Sequence, residues 1–106
     1  MAISHEALLA EVLAACHTTP IVERYIRDDE EHVFGCVEGA AVHVNPAPST
    51  VDTLIHEIVH RLHPRWTEAY VRRRAWALVT RMTTEEVEAA YRLYRRRKRN
   101  GRPLQL

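Results

Sequence analysis

The stretch "DTLIHEIVHRLHPRWTEAY", residues 52–70, combines three histidines with two glutamates in a largely apolar context. His56 and His60 are four residues apart, which places both imidazoles on one face of a helix, one turn from each other. Glu57 directly follows the first of them. Because a proline disfavours helical geometry at the residue before it, Pro64 should end this helix. The stretch therefore predicts a helix with a histidine-bearing face, followed by a break and a second helix.

The spacing H-E-x-x-H is a pattern that binds zinc through its two histidines. Zinc in such a site takes two neutral imidazoles and one further protein ligand, and leaves a fourth position for water. The sequence thus predicts His56 and His60 as zinc ligands. Glu57 is the predicted catalytic base, which accepts the proton of the activated water and later passes it to the leaving amine.

An ordinary amphipathic helix that happens to carry two histidines is the competing interpretation. Apolar residues flank the histidine face, so we expect this helix to be buried on most sides: Val51, Leu54, Ile55, Ile58, Val59 and Leu62. Burying two imidazoles and a carboxylate without partners would be costly, and metal coordination would remove that cost. This argument favours the zinc interpretation.

Two residues compete for the position of third zinc ligand. Glu68 lies eight residues after His60, at the start of the next predicted helix, where a chain reversal would return its carboxylate to the ion. His63 shares the helical face of His56 but lies about two turns further on, roughly 10 Å along the axis, so it requires an earlier break in the helix. We favour Glu68 and keep His63 as the alternative. Glutamates of the last predicted helix are remoter candidates: Glu85, Glu86 and Glu88.

Other polar residues are weaker candidates for the site. Asp52, one turn before His56, could hold the second nitrogen of that imidazole, although a place in the first turn of the helix explains it equally well. His43 and Asn45 are candidates for contacting an extended substrate by strand addition. Three tyrosines could donate a hydrogen bond to a developing oxyanion, although tyrosines at helical spacing more often belong to a core: Tyr70, Tyr91 and Tyr94.

The rest of the chain predicts an α+β fold with an N-terminal helix, a small antiparallel sheet, the H-E-x-x-H helix and two further helices. Ser4 and Thr67 are predicted helix caps, and Thr83 with Glu86 predicts a capping box. The predicted helices cover about 4–17, 50–62, 68–82 and 84–99, and the predicted strands lie near Ile21–Arg27, His32–Val37 and Ala41–Asn45.

The chain of 106 residues has the length of one domain, with 46% hydrophobic and 27% charged residues. No apolar run approaches the roughly 20 residues that span a bilayer, so we expect no membrane insertion. The first residues lack a basic leader and include Glu6 and Glu11, which predicts a cytoplasmic protein rather than a secreted one.

The net charge of +1 conceals a strong asymmetry. Residues 1–60 contain ten acids and two bases, whereas residues 61–106 contain four acids and thirteen bases. The tail, about 92–106, would produce a positive field suited to phosphate groups, and non-specific nucleic-acid contact and a merely solvated helix end are equally compatible with it. The residues predicted for such contact are Arg95, Arg96, Arg97, Lys98 and Arg99.

The stretch "VHVNPAPSTVDTLIHEIVHRLHPRWTEAYV", residues 42–71, resembles the zincin metallopeptidases. More narrowly, it is similar to small zincin-like proteins of phage and prophage origin, in which a strand ending in Asn-Pro or Asp-Pro precedes Thr-Leu-Ile-His-Glu. The resemblance covers roughly residues 41–80 and matches His56, Glu57 and His60 one by one. It implies a minimal zincin-like domain that binds zinc and hydrolyses a peptide or protein substrate, in a host cytoplasm if the protein is phage-encoded. With Glu68 the site would be of the gluzincin kind, although gluzincins usually place this glutamate much further along.

Two classes of function follow from the sequence. The first is a minimal zinc metallopeptidase. The second is a non-catalytic, zinc-stabilised module that contacts nucleic acid or a protein partner through its basic C-terminal helix.

Overall fold

The computed structural model describes residues 2–106 and has an α+β architecture. Over this range the chain forms four helices and one three-stranded mixed sheet. The elements in chain order are α1 (His5–Cys16), β1 (Ile21–Glu23), β2 (Gly35–Glu38), β3 (Ala41–Val44), α2 (Ala47–Leu62), α3 (Glu68–Arg81) and α4 (Thr84–Arg97).

Three of the helices begin where short polar side chains satisfy their first backbone N–H groups. The side chains of Ser4 and Thr67 accept hydrogen bonds from the backbone three residues further on. Thr83 and Glu86 form a complete capping box, in which each side chain accepts a hydrogen bond from the backbone N–H of the other. The caps predicted for α1, α3 and α4 are thus confirmed.

Helix α2 begins at Ala47, three residues before the predicted start at Thr50. Prolines 46 and 48 do not delay the helix, because a proline is tolerated in the first turn, where its missing N–H has no helical partner to lose. Asn45 holds this start in place: its Oδ1 accepts from the Ala47 N–H, and its Nδ2 donates to the Val33 carbonyl. Asp52 consequently lies beyond the first turn, and the helix-start role suggested for it is wrong.

The sheet has the order β1-β3-β2 and is mixed, whereas an antiparallel sheet was predicted. Strands β2 and β3 form an antiparallel hairpin that turns at Gly39, whose φ of 61° suits glycine. This hairpin occupies one side of β3, and β1 pairs with the other side in parallel. The long segment between β1 and β2 lets the chain return before the hairpin begins, so the direction of β1 does not follow from a short turn.

Gly35 has a second role in the hairpin. A Cβ built on this residue would lie 2.8 Å from the backbone oxygen of His43, closer than real Cβ atoms approach. A side chain here would therefore push β2 away from β3.

The core lies between α2, α3 and α4 rather than against the sheet. Ala47, Val51, Val87 and Tyr91 form its buried cluster. Helix α3 adds a buried stripe at helical spacing: Val71, Ala75 and Val79. Burial of α2 on most sides was predicted, yet Ile58 is 47% exposed and Leu62 is 66% exposed. Helix α2 is therefore covered on one side and open on the other, because β1–β3 do not pack over its C-terminal half.

Helix α1 stands apart from this core. Within residues 2–106 none of its side chains is buried, and several large apolar ones face solvent: Leu8, Leu9, Val12 and Leu13. No helix within residues 2–106 combines the length and the apolar character needed to cross a membrane.

Candidate metal centre

The break between α2 and α3 brings Glu68 back to the histidine face of α2. His60 donates a hydrogen bond from Nε2 to Glu68 Oε2 at 2.6 Å, and His56 Nε2 lies 2.8 Å from Glu68 Oε1. One carboxylate thus contacts both imidazoles, whose ring centroids are 4.9 Å apart. The histidines come from successive turns of one helix, and the carboxylate comes from the first residue of the next helix.

The connection between the helices places Glu68 accurately. Helix α2 ends at Leu62, and the backbone of its C-cap residue His63 has left helical geometry with φ −131° and ψ 69°, as expected for a residue before proline. The Trp66 N–H then donates to the His63 carbonyl, which tightens the turn. Thr67 caps α3, so that Glu68 occupies its first position.

Aromatic rings support this turn from the outside. The His63 imidazole is stacked on the Trp66 indole, with ring centroids 3.9 Å apart and an interplanar angle of 8°. Tyr70 meets Trp66 edge to face, and the Arg74 guanidinium lies over both rings. His63 therefore contributes to the shape of the turn and does not join His56, His60 and Glu68.

The three clustered residues lie at the protein surface. The side chain of His56 is 18% exposed, that of His60 is 28% exposed and that of Glu68 is 56% exposed. We expected these imidazoles and a carboxylate to be buried, at a cost that metal binding would remove. That expectation is wrong, because α2 is open on this side and all three groups are accessible to solvent. A metal site is supported instead by the proximity of the ligand atoms of His56, His60 and Glu68 to one another.

Hydrogen bonding favours the ionised form of Glu68. The hydrogen bond from His60 lowers the pKa of Glu68 below its usual value, desolvation opposes this, and the neighbouring His56 adds to the lowering. Arg72, four residues later on α3, lies 3.6 Å from Glu68 Oε1 and forms an exposed ion pair with it. A deprotonated carboxylate is the form that coordinates a metal.

The donor set fits zinc. Two imidazole nitrogens and one carboxylate oxygen all lie within 4.8 Å of one another. Around a tetrahedral ion with bonds of about 2.1 Å, ligand atoms would be separated by about 3.4 Å, a spacing of the same order as in this cluster. The same donor set leaves a fourth position free for water.

Glu57 lies beside the cluster without belonging to it. Its Oε1 is 3.8 Å from His56 Nε2, and its side chain is 69% exposed.

Other predicted site residues are not brought together with His56 and His60. Among residues 2–106, the carboxylates within 4.0 Å of His56 are those of Glu57 and Glu68, so Asp52 does not hold its imidazole. The remoter ligand candidates have other roles or positions: Glu86 belongs to a capping box, Glu88 pairs with Arg27, and Glu85 lines a separate cavity.

Strand addition to His43 and Asn45 is also excluded by the sheet. Strand β3 is the central strand and already pairs on both edges, so an extended substrate cannot pair with it. His43 is buried, and Asn45 uses its side chain to hold the start of α2. Of the three tyrosines considered, Tyr70 packs in the turn and Tyr91 in the core.

The basic tail is exposed. Arg95, Arg96 and Arg97 end α4, followed by Lys98 and Arg99, and none of these five pairs with an acid in residues 2–106. Arg92 differs, since it lies 3.9 Å from Glu88.

Two features of the centre were missed at the sequence level. The contact of Arg72 with Glu68 could have been predicted from the sequence, because a glutamate and an arginine four residues apart on a helix form an ion pair. No sequence pattern predicts the stacking of His63 on Trp66, since it depends on the turn that Pro64 produces.

Comparisons of the chain with protein-family models, with curated proteins and with solved structures find no match.

Proposed function

We propose that this protein is a zinc-dependent peptidase of the zincin-like kind. His56, His60 and Glu68 would hold the ion, and Glu57 would be the catalytic base. The observation that carries the proposal is the convergence of the first three on one point, within 4.8 Å, with Glu57 3.8 Å from His56. Two imidazoles on successive turns of α2 and the carboxylate that begins α3 thus meet at one place on the surface.

Each residue of the centre has a chemical task in this proposal. Zinc, when bound, supplies a Lewis acid that lowers the pKa of a water molecule. His56 and His60 would coordinate the ion as neutral imidazoles, and Glu68 would contribute the negative charge that a divalent cation requires. Glu57 takes the proton of the water as it attacks the peptide carbonyl, and then gives that proton to the leaving amine.

The test combines metal analysis with a single substitution, Glu57→Gln. The wild-type chain should bind about one zinc and cleave unfolded protein or peptides, because the three ligands form one site. The variant should keep the zinc and lose cleavage, since it loses the base but no ligand. Glu11→Gln, on the remote helix α1, is the matched control and should behave as wild type.

The outcomes separate the two classes of function. A chain that binds zinc but shows no cleavage, with or without Glu57, would be a zinc-stabilised module and not an enzyme. A chain that refuses zinc would exclude both.

A second candidate activity is non-specific contact with nucleic acid through Arg95–Arg99. The observation in its favour is that these cations are exposed and unpaired within residues 2–106, so their charge is available to phosphates. Binding to duplex DNA of any sequence should weaken steeply as salt rises, and replacing three of the arginines with glutamine should reduce that slope. Salt-independent binding, or none, would exclude this activity.

A further inference from the structure

A shallow groove of about 460 Å³ runs between α2 and α4, next to the proposed metal centre. Ser49, Thr50, Thr53, Leu54 and Glu57 form its wall on α2, and Tyr94 forms its wall on α4. Helix periodicity explains why the α2 residues share a side, since they are three, four or one residue apart.

Glu57 connects the groove to the metal centre. It lines the groove, and its Oε1 is also 3.8 Å from His56 Nε2. Thr53 precedes His56 by three residues and Glu57 by four, so it lies one turn away from both on the same side of α2. A chain lying in the groove would therefore present its end to the catalytic base.

The dimensions of the groove suit a short peptide. From Ser49 to Glu57 the helix rises about 12 Å, at 1.5 Å per residue. An extended chain advances about 3.3 Å per residue, so the groove accommodates about three or four residues on one side of the cleaved bond.

The lining of the groove is uncharged apart from Glu57 at its end. Hydroxyl groups of Ser49, Thr50, Thr53 and Tyr94 offer hydrogen bonds to a peptide backbone, and Leu54 with the Tyr94 ring offers apolar contact. Away from Glu57, a charged substrate side chain would find no partner of opposite charge among the lining residues.

We propose that the groove between α2 and α4 binds the substrate as an extended peptide with uncharged, apolar side chains, and that Tyr94 and Thr53 determine this specificity. The inference rests on the proposed peptidase function for its ligand class. It adds the substrate class and two specificity-determining residues that lie outside the metal centre.

Peptide binding tests the groove independently of cleavage. The probe is a fluorescent Leu- and Ala-rich hexapeptide, added to the purified protein in the presence of a chelator, with affinity measured by anisotropy. Thr53→Trp, at an exposed position, should fill the groove and weaken binding by more than about tenfold. Tyr94→Ala should weaken it by about two- to tenfold, the range of one aromatic contact. Leu93→Ala is the matched control, because Leu93 is the exposed neighbour that does not line the groove.

A change of specificity provides the second measurement. Thr53→Arg places a cation in the groove, so it should raise the affinity for a Glu-containing hexapeptide relative to the Leu-containing one, whereas merely structural damage would weaken both. Zinc binding by each variant should equal that of wild type, because none of the substitutions removes a ligand.

The proposal and the peptidase function fail in different ways. If zinc binds and cleavage is absent, the proposed peptidase function is wrong. The anisotropy measurement still shows whether the groove binds peptides. If cleavage occurs and peptide affinity is unchanged in all three groove variants, Thr53→Trp, Thr53→Arg and Tyr94→Ala, the groove is not the substrate site and the peptidase function stands. A wild-type chain that does not bind the probe also overturns the groove.

Discussion

Glu68 and His63 illustrate how one residue's surroundings decide its role. Both were candidates for the third zinc ligand, and they lie five residues apart. Glu68 begins α3 and contacts His56 and His60 directly, whereas the His63 ring is stacked on Trp66. The structure therefore places only Glu68 with the two histidines, and its role as a ligand is a prediction.

Replacing Glu68 with alanine should weaken zinc binding far more than replacing His63. Glu68→Ala removes a coordinating charge, whereas His63→Ala only loosens the turn that carries Glu68, and a change outside the coordinating residues typically costs about 10- to 100-fold. Titration against a chromophoric chelator measures both affinities. The reverse ranking would reassign the third ligand to His63.

Arg27 and Glu88 form an ion pair in which the carboxylate is buried and the Arg27 side chain is 70% exposed. The Glu88 side chain is 6% exposed, and its two oxygens accept from Arg27 Nε at 2.9 Å and Nη2 at 2.8 Å. These hydrogen bonds lower the pKa of Glu88 below its ordinary 4.5, against the opposing effect of desolvation. Because the folded-state pKa is the lower one, the stabilisation is fully present above about pH 4.5 and is lost as the pH falls through the folded-state value.

Arg27→Met should therefore destabilise the protein at pH 7, because it leaves the buried Glu88 carboxylate without its main partner, and should destabilise it less at pH 3. The control is Arg92→Met, which removes a longer contact of 3.9 Å from the same carboxylate and should cost less than about 0.5 kcal/mol. Urea unfolding at the two pH values gives both differences. A loss for Arg27→Met that does not change with pH would show that the methylene packing, not the ion pair, stabilises this contact.

Two helix caps, Ser4 of α1 and Thr83 of α4, have the same local geometry. The helices that they cap differ in how much they pack against the rest of the protein. Ser4 caps α1 and Thr83 caps α4, each through a hydrogen bond of 3.1 Å to the backbone three residues on. Helix α4 packs against α2 through Val87 and Tyr91, whereas α1 has no buried residue within residues 2–106. The same cap should thus matter for global stability only in α4.

Thr83→Ala should lower the free energy of unfolding by about 1 kcal/mol, because the orphaned N–H groups of a packed helix lose their acceptor. Ser4→Ala should reduce helical circular dichroism without shifting the unfolding midpoint reported by Trp66 and Trp76 fluorescence. An equal shift for both variants would mean that α1 is packed in solution.

Over the whole molecule, the core occupies only part of the chain. The radius of gyration is 17.1 Å, against about 13 Å for a compact domain of this length. Helix α1, the three-stranded sheet and the segment after α4 all lie outside the α2–α3–α4 core. The acidic and basic halves of the chain meet at α2 and α3, where the proposed zinc ligands lie.

Val51→Ala should cost about 2 kcal/mol, since Val51 is fully buried between α2 and α4 and its loss leaves a cavity. Leu9→Ala, on exposed α1, should change stability by less than about 0.5 kcal/mol. Thermal unfolding of the two variants measures the contrast. A similar cost at both positions would contradict the assignment of the core to α2, α3 and α4.

The sequence by itself determined the α+β class, the four helices and most of their boundaries. It also pointed to the residues of the centre, including Glu68. These features depend on interactions between residues three or four apart: a capping hydroxyl and its N–H, two imidazoles on successive turns, a proline and the residue before it. Interactions between residues so close in the chain can be predicted from the amino-acid sequence alone.

Only the tertiary structure decided the parallel pairing of β1 with β3, the exposure of the His56–His60 face, the stacking of His63 on Trp66 and the groove beside Glu57. Each of these depends on which surfaces meet after the chain has reversed direction. Strand pairs and helix pairs compete for the same apolar area, and the energy that selects among them comes from contacts distant in sequence. The local pattern in this chain is the same whether α2 is covered on two sides or on one, so its open face, and with it the accessibility of the proposed zinc centre, is a property of the folded molecule alone.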